Sequence, residues 1–169
     1  MKMQESIIII KWRMPVQITC FALFFLNCLP AVSQRLNVTT TQNLSFGAFS
    51  QGSTGGTITV STSGTRTASG TVVPLNLGIQ YFQAIFQVQD STGTIVSILN
   101  GPDATLQGSN GGTMTLHLSN SDPASPFIST IDPPGTTAIS IGGTLTVGNA
   151  DVTPPGNYTG TFYITFNNE

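Results

Sequence analysis

The chain has 169 residues, of which only 7% are charged, and its formal net charge is −2. It contains five lysines and arginines, and three of them (Lys2, Lys11 and Arg13) lie in the first 13 residues. The remaining two cannot neutralise a run of phosphates, which argues against nucleic acid and anionic membrane surfaces as partners.

Residues 1–33 have the features of a secretory signal peptide. Basic residues precede an apolar run of about a dozen residues at 18–29, and Ala31-Val32-Ser33 fits a small-x-small cleavage site. The apolar run is short for a membrane-spanning helix. We therefore expect cleavage after Ser33, export of residues 34–169 as a single domain, and no transmembrane segment after cleavage. An uncleaved membrane anchor is the alternative.

Removal of the leader would leave a chain without cysteine, lysine or tryptophan. Cys20, Cys28 and Trp12 all lie within the first 33 residues. The exported domain must then be stabilised by its hydrophobic core without a disulfide. Cysteine nucleophiles, lysine Schiff bases and zinc sites of histidine and cysteine are also excluded for the exported domain.

The exported region shows the alternation of β-strands and no helical periodicity. Threonine, valine, isoleucine and phenylalanine alternate with polar residues in short runs, which are separated by turn sequences rich in Gly, Pro, Asn and Asp. The pattern predicts an all-β fold, an immunoglobulin-like antiparallel β-sandwich. The predicted strands are 36–40, 44–49, 56–61, 71–77, 82–90, 94–99, 104–107, 113–119, 138–141, 144–147 and 158–166.

The last of these strands has the longest alternation. Because side chains of a strand point to opposite faces in turn, one face of 158–166 would be buried and the other would carry threonines. Because this strand is so apolar, we expect it to pair with a neighbouring strand at each of its two edges. The expected buried residues are Tyr158, Gly160, Phe162, Ile164 and Phe166, and the expected outer residues are Thr159, Thr161, Tyr163 and Thr165.

A hexapeptide of the form Gly-Gly-Thr-apolar-Thr-apolar occurs three times, beginning at Gly55, Gly111 and Gly142. The intervals between copies differ, so the chain is not a solenoid of fixed period. We interpret each copy as the start of a strand, in which the glycines form the turn and threonine points outward.

Few residues are candidates for chemistry. His117 is the only histidine, lies on the expected outer face of its strand, and is accompanied by no Gly-x-Ser-x-Gly sequence. The loop aspartates lack calcium-loop spacing and are expected to accept hydrogen bonds from turn amides. We predict no catalytic residue, cofactor or metal site; a secreted hydrolase using His117 and these aspartates is the competing hypothesis. The aspartates are Asp90, Asp103, Asp122 and Asp132.

Exposed aromatic residues could stack on sugars. The candidates are Tyr81, Phe82, Phe127 and Tyr163, and we expect them to be core residues because the exported region offers no tryptophan. A secreted carbohydrate-binding module that uses Tyr81, Phe82 or Tyr163 is the alternative function.

The order of several motifs resembles a family of secreted bacterial domains of unknown function, similar to spore coat protein U and more distantly to the fimbrial subunits of chaperone–usher systems. The motifs are Leu44-Ser-Phe-Gly-Ala-Phe49, Gly55-Gly-Thr-Ile-Thr-Val60, Ser63-Gly-Thr-Arg66, Ile141-Gly-Gly-Thr-Leu-Thr-Val-Gly148 and Pro155-Gly-Asn-Tyr-Thr-Gly-Thr-Phe-Tyr-Ile-Thr-Phe166.

The resemblance implies an immunoglobulin-like sandwich, a periplasmic or cell-surface location in a bacterium, and a structural or adhesive role without catalytic residues. Asn168 stands where pilins carry a penultimate aromatic residue, and the common pilin disulfide is missing. We expect a non-enzymatic surface protein that assembles or adheres through strand edges. The expected partners are further copies of the chain, other surface proteins or glycans.

Overall fold

The structure, a computed structural model, describes residues 36–169, so the predicted signal peptide lies outside the described residues. Their regular structure consists of β-strands, with no helix between 36 and 169. The fifteen strands are β1 (Asn37–Gln42), β2 (Ser45–Phe46), β3 (Phe49–Ser50), β4 (Gly56–Val60), β5 (Arg66–Gly70), β6 (Val73–Pro74), β7 (Tyr81–Phe82), β8 (Ala84–Gln89), β9 (Ile95–Asn100), β10 (Ala104–Gly108), β11 (Thr113–Asp122), β12 (Phe127–Ile128), β13 (Thr137–Val147), β14 (Tyr158–Thr159) and β15 (Ile164–Asn168).

The strands form one large antiparallel sheet and three small ones. The large sheet has the order β1-β8-β13-β11-β10-β14, with β4 and β5 added beside the second half of β13. A three-stranded sheet has the order β12-β9-β15, and β2 with β7 and β3 with β6 form two-stranded ladders. The predicted all-β antiparallel sandwich is confirmed.

A single hydrophobic core lies between the large and the three-stranded sheet. Ile58, Ile139 and Ile141 of the large sheet and Val96 of the three-stranded sheet are fully buried. The two layers also meet through aromatic rings, since Phe86 and Phe166 have ring centroids 5.6 Å apart. Burial of apolar side chains from both layers provides the main stabilisation of a domain without disulfides.

The third Gly-Gly-Thr copy does not begin a strand. Gly142 and Gly143 lie in the middle of β13, which continues across both. A Cβ atom at Gly142 would collide with the carbonyl oxygen of Val60, so glycine permits β4 to approach β13 closely. The expectation of a turn is confirmed for the other two copies, where Gly55 and Gly111 have positive φ values of 74° and 86°.

The prediction of one continuous C-terminal strand with two neighbours was wrong. Residues 158–159 pair with β10 and 164–168 pair with β9, and the ladder is interrupted between them. The interruption faces Gly101, whose amide donates to the Tyr163 carbonyl at 2.8 Å. The predicted alternation is confirmed for the large side chains: Tyr158, Phe162, Ile164 and Phe166 pack against the core, and the threonines between them are exposed. Gly160, which was expected on the buried face, is exposed.

Candidate functional site

A groove lies between residues 44–51, near the start of the domain, and residues 154–162, near its end. A cavity of about 870 Å³ is lined on one side by residues 44–51 and on the other by residues 154–160 and Phe162. A second cavity of about 500 Å³ shares Leu44, Gly160 and Phe162 with the first and extends towards Thr40 and Ile164. We call the two together the terminal groove.

The floor of the terminal groove belongs to the hydrophobic core. Leu106, Met114, Leu116 and Leu145 all line the larger cavity, and three of them are buried. Among residues 36–169, no Asp, Glu, Lys, Arg or His lines either cavity. A bound group would therefore have to be uncharged, because a charge transferred into such surroundings would lose its hydration without gaining a partner.

The strands that line the groove are short of partners. β14 and β15 are each the last strand of their sheet, and β2 and β3 each pair with a single two-residue strand. Strands with one unpaired edge offer free backbone N–H and C=O groups to another strand. In the described part of the chain, the terminal groove thus combines an apolar floor with walls that can accept backbone hydrogen bonds.

Arg66 fastens the N-terminal wall of the groove. Its Nη1 donates to the carbonyl oxygens of Phe46 at 3.0 Å and Ala48 at 3.1 Å, and its Nη2 donates to Leu75 at 3.2 Å. Gly47 lies between the first two acceptors with φ of 67°, and a Cβ atom there would lie only 2.8 Å from Nη1. Glycine at position 47 therefore provides both the turn and the space for the guanidinium group.

An apolar lip extends from the groove along residues 73–82. Leu77 and Ile79 line the larger cavity, although 68% and 60% of their surface is exposed. Val73, Tyr81 and Phe82 are also exposed. Contiguous exposed apolar side chains on a small domain are typical of a surface that contacts a partner.

The aromatic candidates are mostly not core residues. Tyr81 and Phe82 are exposed, Tyr163 is 72% exposed, and Phe127 is half-buried against the core. The core assignment is thus wrong for the first three residues and confirmed for Phe127. Tyr81 and Phe82 form a two-residue strand paired with β2, which leaves no layer to cover them. Tyr163 lies in the interruption between β14 and β15 and is exposed, as the alternation of residues 158–166 predicted.

His117 lies on the outer face as predicted, but it has a partner that was not foreseen. Its Nδ1 lies 2.7 Å from Oδ1 of Asp103, with 73% and 54% of the two side chains exposed. Asp103 and His117 lie on the two arms of the β10–β11 hairpin, whose turn is at 110–112. Since Ala104 lies opposite Leu116, the next pair in this register is Asp103 and His117, so a correct hairpin prediction would have brought them together. No serine hydroxyl in residues 36–169 contacts the imidazole, so the pair does not form a serine triad.

The other aspartates lie apart from this pair. Asp90 is buried and accepts a hydrogen bond from the Ser91 amide, while Asp132 accepts one from the Thr92 amide, both at 2.8 Å. These bonds confirm that turn amides are their partners. Within the described residues, no group of three or more His, Cys, Asp or Glu side chains could hold a metal ion. Asp122 likewise belongs to no potential metal-binding group among these residues.

The comparison with protein families gives a direct result. A family described as a domain of unknown function, DUF4402, matches residues 36–167. The chain belongs to the DUF4402 family. No curated protein and no solved structure shows significant similarity to it. The match covers all fifteen strands except the last residue of β15, so the terminal groove lies entirely within the DUF4402 domain.

Residues 36–169 of this DUF4402 protein contain no helix long and apolar enough to cross a bilayer.

Proposed function

We propose that this DUF4402 protein is a secreted, non-enzymatic, pilin-like surface protein of a bacterium that assembles by strand addition in the terminal groove. The observation that carries the proposal is the combination of an uncharged apolar floor with strand edges that lack a partner. Strand addition uses both features. Hydrogen bonds between the added strand and the free strand edge supply affinity, and apolar pockets for alternate side chains of the added strand supply specificity.

The occupant we propose is an extended strand from a second copy of the chain. β1 is the best candidate donor, because it is uncharged, is an edge strand, and pairs with β8 alone among the strands of residues 36–169. Its ladder with β8 shifts register between Thr40 and Gln42, and most of its side chains are exposed.

The position of the apolar lip supports assembly rather than the binding of a small molecule. Leu77 and Ile79 continue the apolar surface of the groove outward, so an inserted strand could bury them together with the floor. Burial of each large apolar side chain contributes about 1.5–3 kcal/mol. A small ligand in the groove would leave this lip in water.

Two matched substitutions test the proposal. Leu77→Asp places a charge on the lip, and Leu99→Asp places one on the outer face of β9, where the leucine is similarly exposed at 65% compared with 68%. The exported full chain would be purified and its mass measured by light scattering over a range of concentrations. We expect concentration-dependent oligomers for the wild type and Leu99→Asp, and monomers for Leu77→Asp. A wild-type protein that stays monomeric at high concentration would contradict the proposal.

A further inference from the structure

The outer face of the large sheet, separate from the terminal groove, carries threonines in register across several strands. Thr57 of β4 lies opposite Thr146 of β13. Thr146 lies opposite Thr115 of β11, and Thr115 lies opposite Thr105 of β10. Neighbouring strands lie about 4.8 Å apart. The row therefore spans four strands with a hydroxyl group on each.

A second row runs parallel to the first and ends at the hydrogen-bonded pair of His117 and Asp103. Thr59 of β4 lies opposite Thr144 of β13, and Thr144 lies opposite His117 of β11. Asp103, just before β10, contacts the imidazole at 2.7 Å. Because only one nitrogen and one carboxylate oxygen are used in this contact, His117 Nε2 and Asp103 Oδ2 can bind a further group. We call the two rows the hydroxyl face.

The threonines of the hydroxyl face differ in their hydrogen bonds. Thr59 and Thr144 bond to each other at 2.9 Å through their hydroxyl oxygens. Thr105, Thr115 and Thr146 are exposed, and their side chains bond to no residue in the range 36–169. Thr105 and Thr115, each two residues along the chain from Asp103 or His117, thus retain the hydrogen-bonding capacity of their hydroxyl groups for a ligand.

An exposed aromatic ring lies close to Asp103. Tyr163 lies opposite Gly101, two residues before Asp103, where the chain passes from β9 of the three-stranded sheet to β10 of the large sheet. The side chains of Tyr163 and Asp103 are both exposed beside this crossing. The exposed ring presents a flat apolar surface with a phenolic hydroxyl at its edge.

We propose that the hydroxyl face binds a neutral glycan, with Tyr163 stacking on a sugar ring and Asp103 and His117 binding its hydroxyl groups. The charge of the face favours a neutral ligand, since it carries no lysine or arginine to bind phosphate, sulfate or carboxylate groups. Hydrogen bonds between sugar hydroxyls and a carboxylate are charge-assisted and stronger than those between neutral groups. Rows of threonines would then orient neighbouring sugar units.

Affinity electrophoresis in native gels tests this inference with the exported full chain. The probes are soluble xylan, hydroxyethylcellulose, galactomannan and yeast mannan, with sulfated dextran as a charged comparison. Tyr163→Ala and Asp103→Asn remove the two main contacts. Both residues are exposed, so neither change is expected to unfold the protein. Phe82→Ala, on the lip of the terminal groove, is the control.

We expect retardation by at least one neutral polysaccharide, a loss of affinity of at least tenfold for Tyr163→Ala and Asp103→Asn, and no change for Phe82→Ala. Unchanged migration in every neutral polysaccharide would overturn the inference. Binding that depends on Phe82, or that prefers sulfated dextran, would also overturn it. Because Asp103 lies outside the terminal groove, loss of glycan binding in Asp103→Asn and loss of assembly in Leu77→Asp are separate outcomes.

Discussion

The guanidinium group of Arg66 lies over the ring of Tyr81, with Cζ 4.3 Å from the ring centroid. The same group donates to three carbonyl oxygens, so one side chain of β5 joins the N-terminal wall of the terminal groove to its apolar lip. Arg66 thus holds together two segments that are otherwise connected only by short ladders.

Arg66→Lys should destabilise the domain by about 2 kcal/mol, because lysine cannot reach three carbonyl groups at once and each charged hydrogen bond is worth about 1.5–3 kcal/mol. Chemical denaturation followed by fluorescence or circular dichroism measures this difference. Tyr81→Leu, which removes only the cation–π contact, should cost roughly 0.5–1 kcal/mol. An Arg66→Lys variant as stable as the wild type would show that the three hydrogen bonds contribute nothing to folding.

Gly142→Ala should destabilise the domain by about 2–3 kcal/mol, since a methyl group would force β4 away from β13. Gly78→Ala is a useful comparison, because its Cβ atom would meet nothing within 4 Å and only its φ of 77° is unfavourable. We expect the free energy of unfolding of Gly78→Ala to be about 1 kcal/mol lower than that of the wild type. Equal losses for the two variants would mean that β4 can move aside without cost.

The sequence predicted the strands that bury one face and missed those that bury neither. β8 and β11 alternate between buried and exposed residues, and both were predicted close to their observed positions. β5 exposes nearly all of its residues, so no apolar periodicity marks it. The break at residues 160–163 was also missed, since it arises from the partner strand around Gly101 and not from the C-terminal residues themselves.

The candidate site shows the same division. The apolar alternation of the C-terminal segment indicated which side chains would face the core, and three of them, Tyr158, Phe162 and Ile164, line the groove. The groove itself depends on which strand edges remain unpaired, and that property belongs to the whole topology. The exposure of Tyr81 and Phe82 could not be read from their own sequence, since it follows from the shortness of β2 and β7.

The acid dependence of stability should include a contribution from Asp132. Hydrogen bonds from the Thr92 backbone amide, and then from its hydroxyl, hold the pKa of Asp132 below its ordinary value of 3.8. Because the folded pKa is lower than the unfolded one, this contribution is present above about pH 4 and is lost as the pH falls through the folded pKa. Urea denaturation of Asp132→Asn between pH 7 and pH 2 should show a weaker loss at the acid end than the wild type. If the free energy of unfolding of the two proteins fell equally between pH 7 and pH 2, Asp132 would make no contribution to the acid dependence.

Introduced cysteines can test β1 as the donor, because residues 34–169 contain no cysteine of their own. Thr39 and Thr161 are exposed on β1 and on the C-terminal wall of the groove. A mixture of Thr39→Cys and Thr161→Cys proteins should form a mixed disulfide dimer under mild oxidation. Thr146→Cys, on the outer face of β13, replaces Thr161→Cys in the control mixture. Equal yields in the two mixtures would point to random collision and against β1 as the donor.

Hydrogen exchange at the free edge of the C-terminal segment is the most direct test of strand addition. Exchange of the backbone amides of residues 160–164 would be followed by mass spectrometry at low and high protein concentration, with the oligomeric state measured in parallel. Strand addition predicts that these amides exchange at least tenfold more slowly in the assembled protein, because an added strand would accept their hydrogen bonds. Assembly with unchanged exchange at 160–164 would contradict the account and place the interface elsewhere.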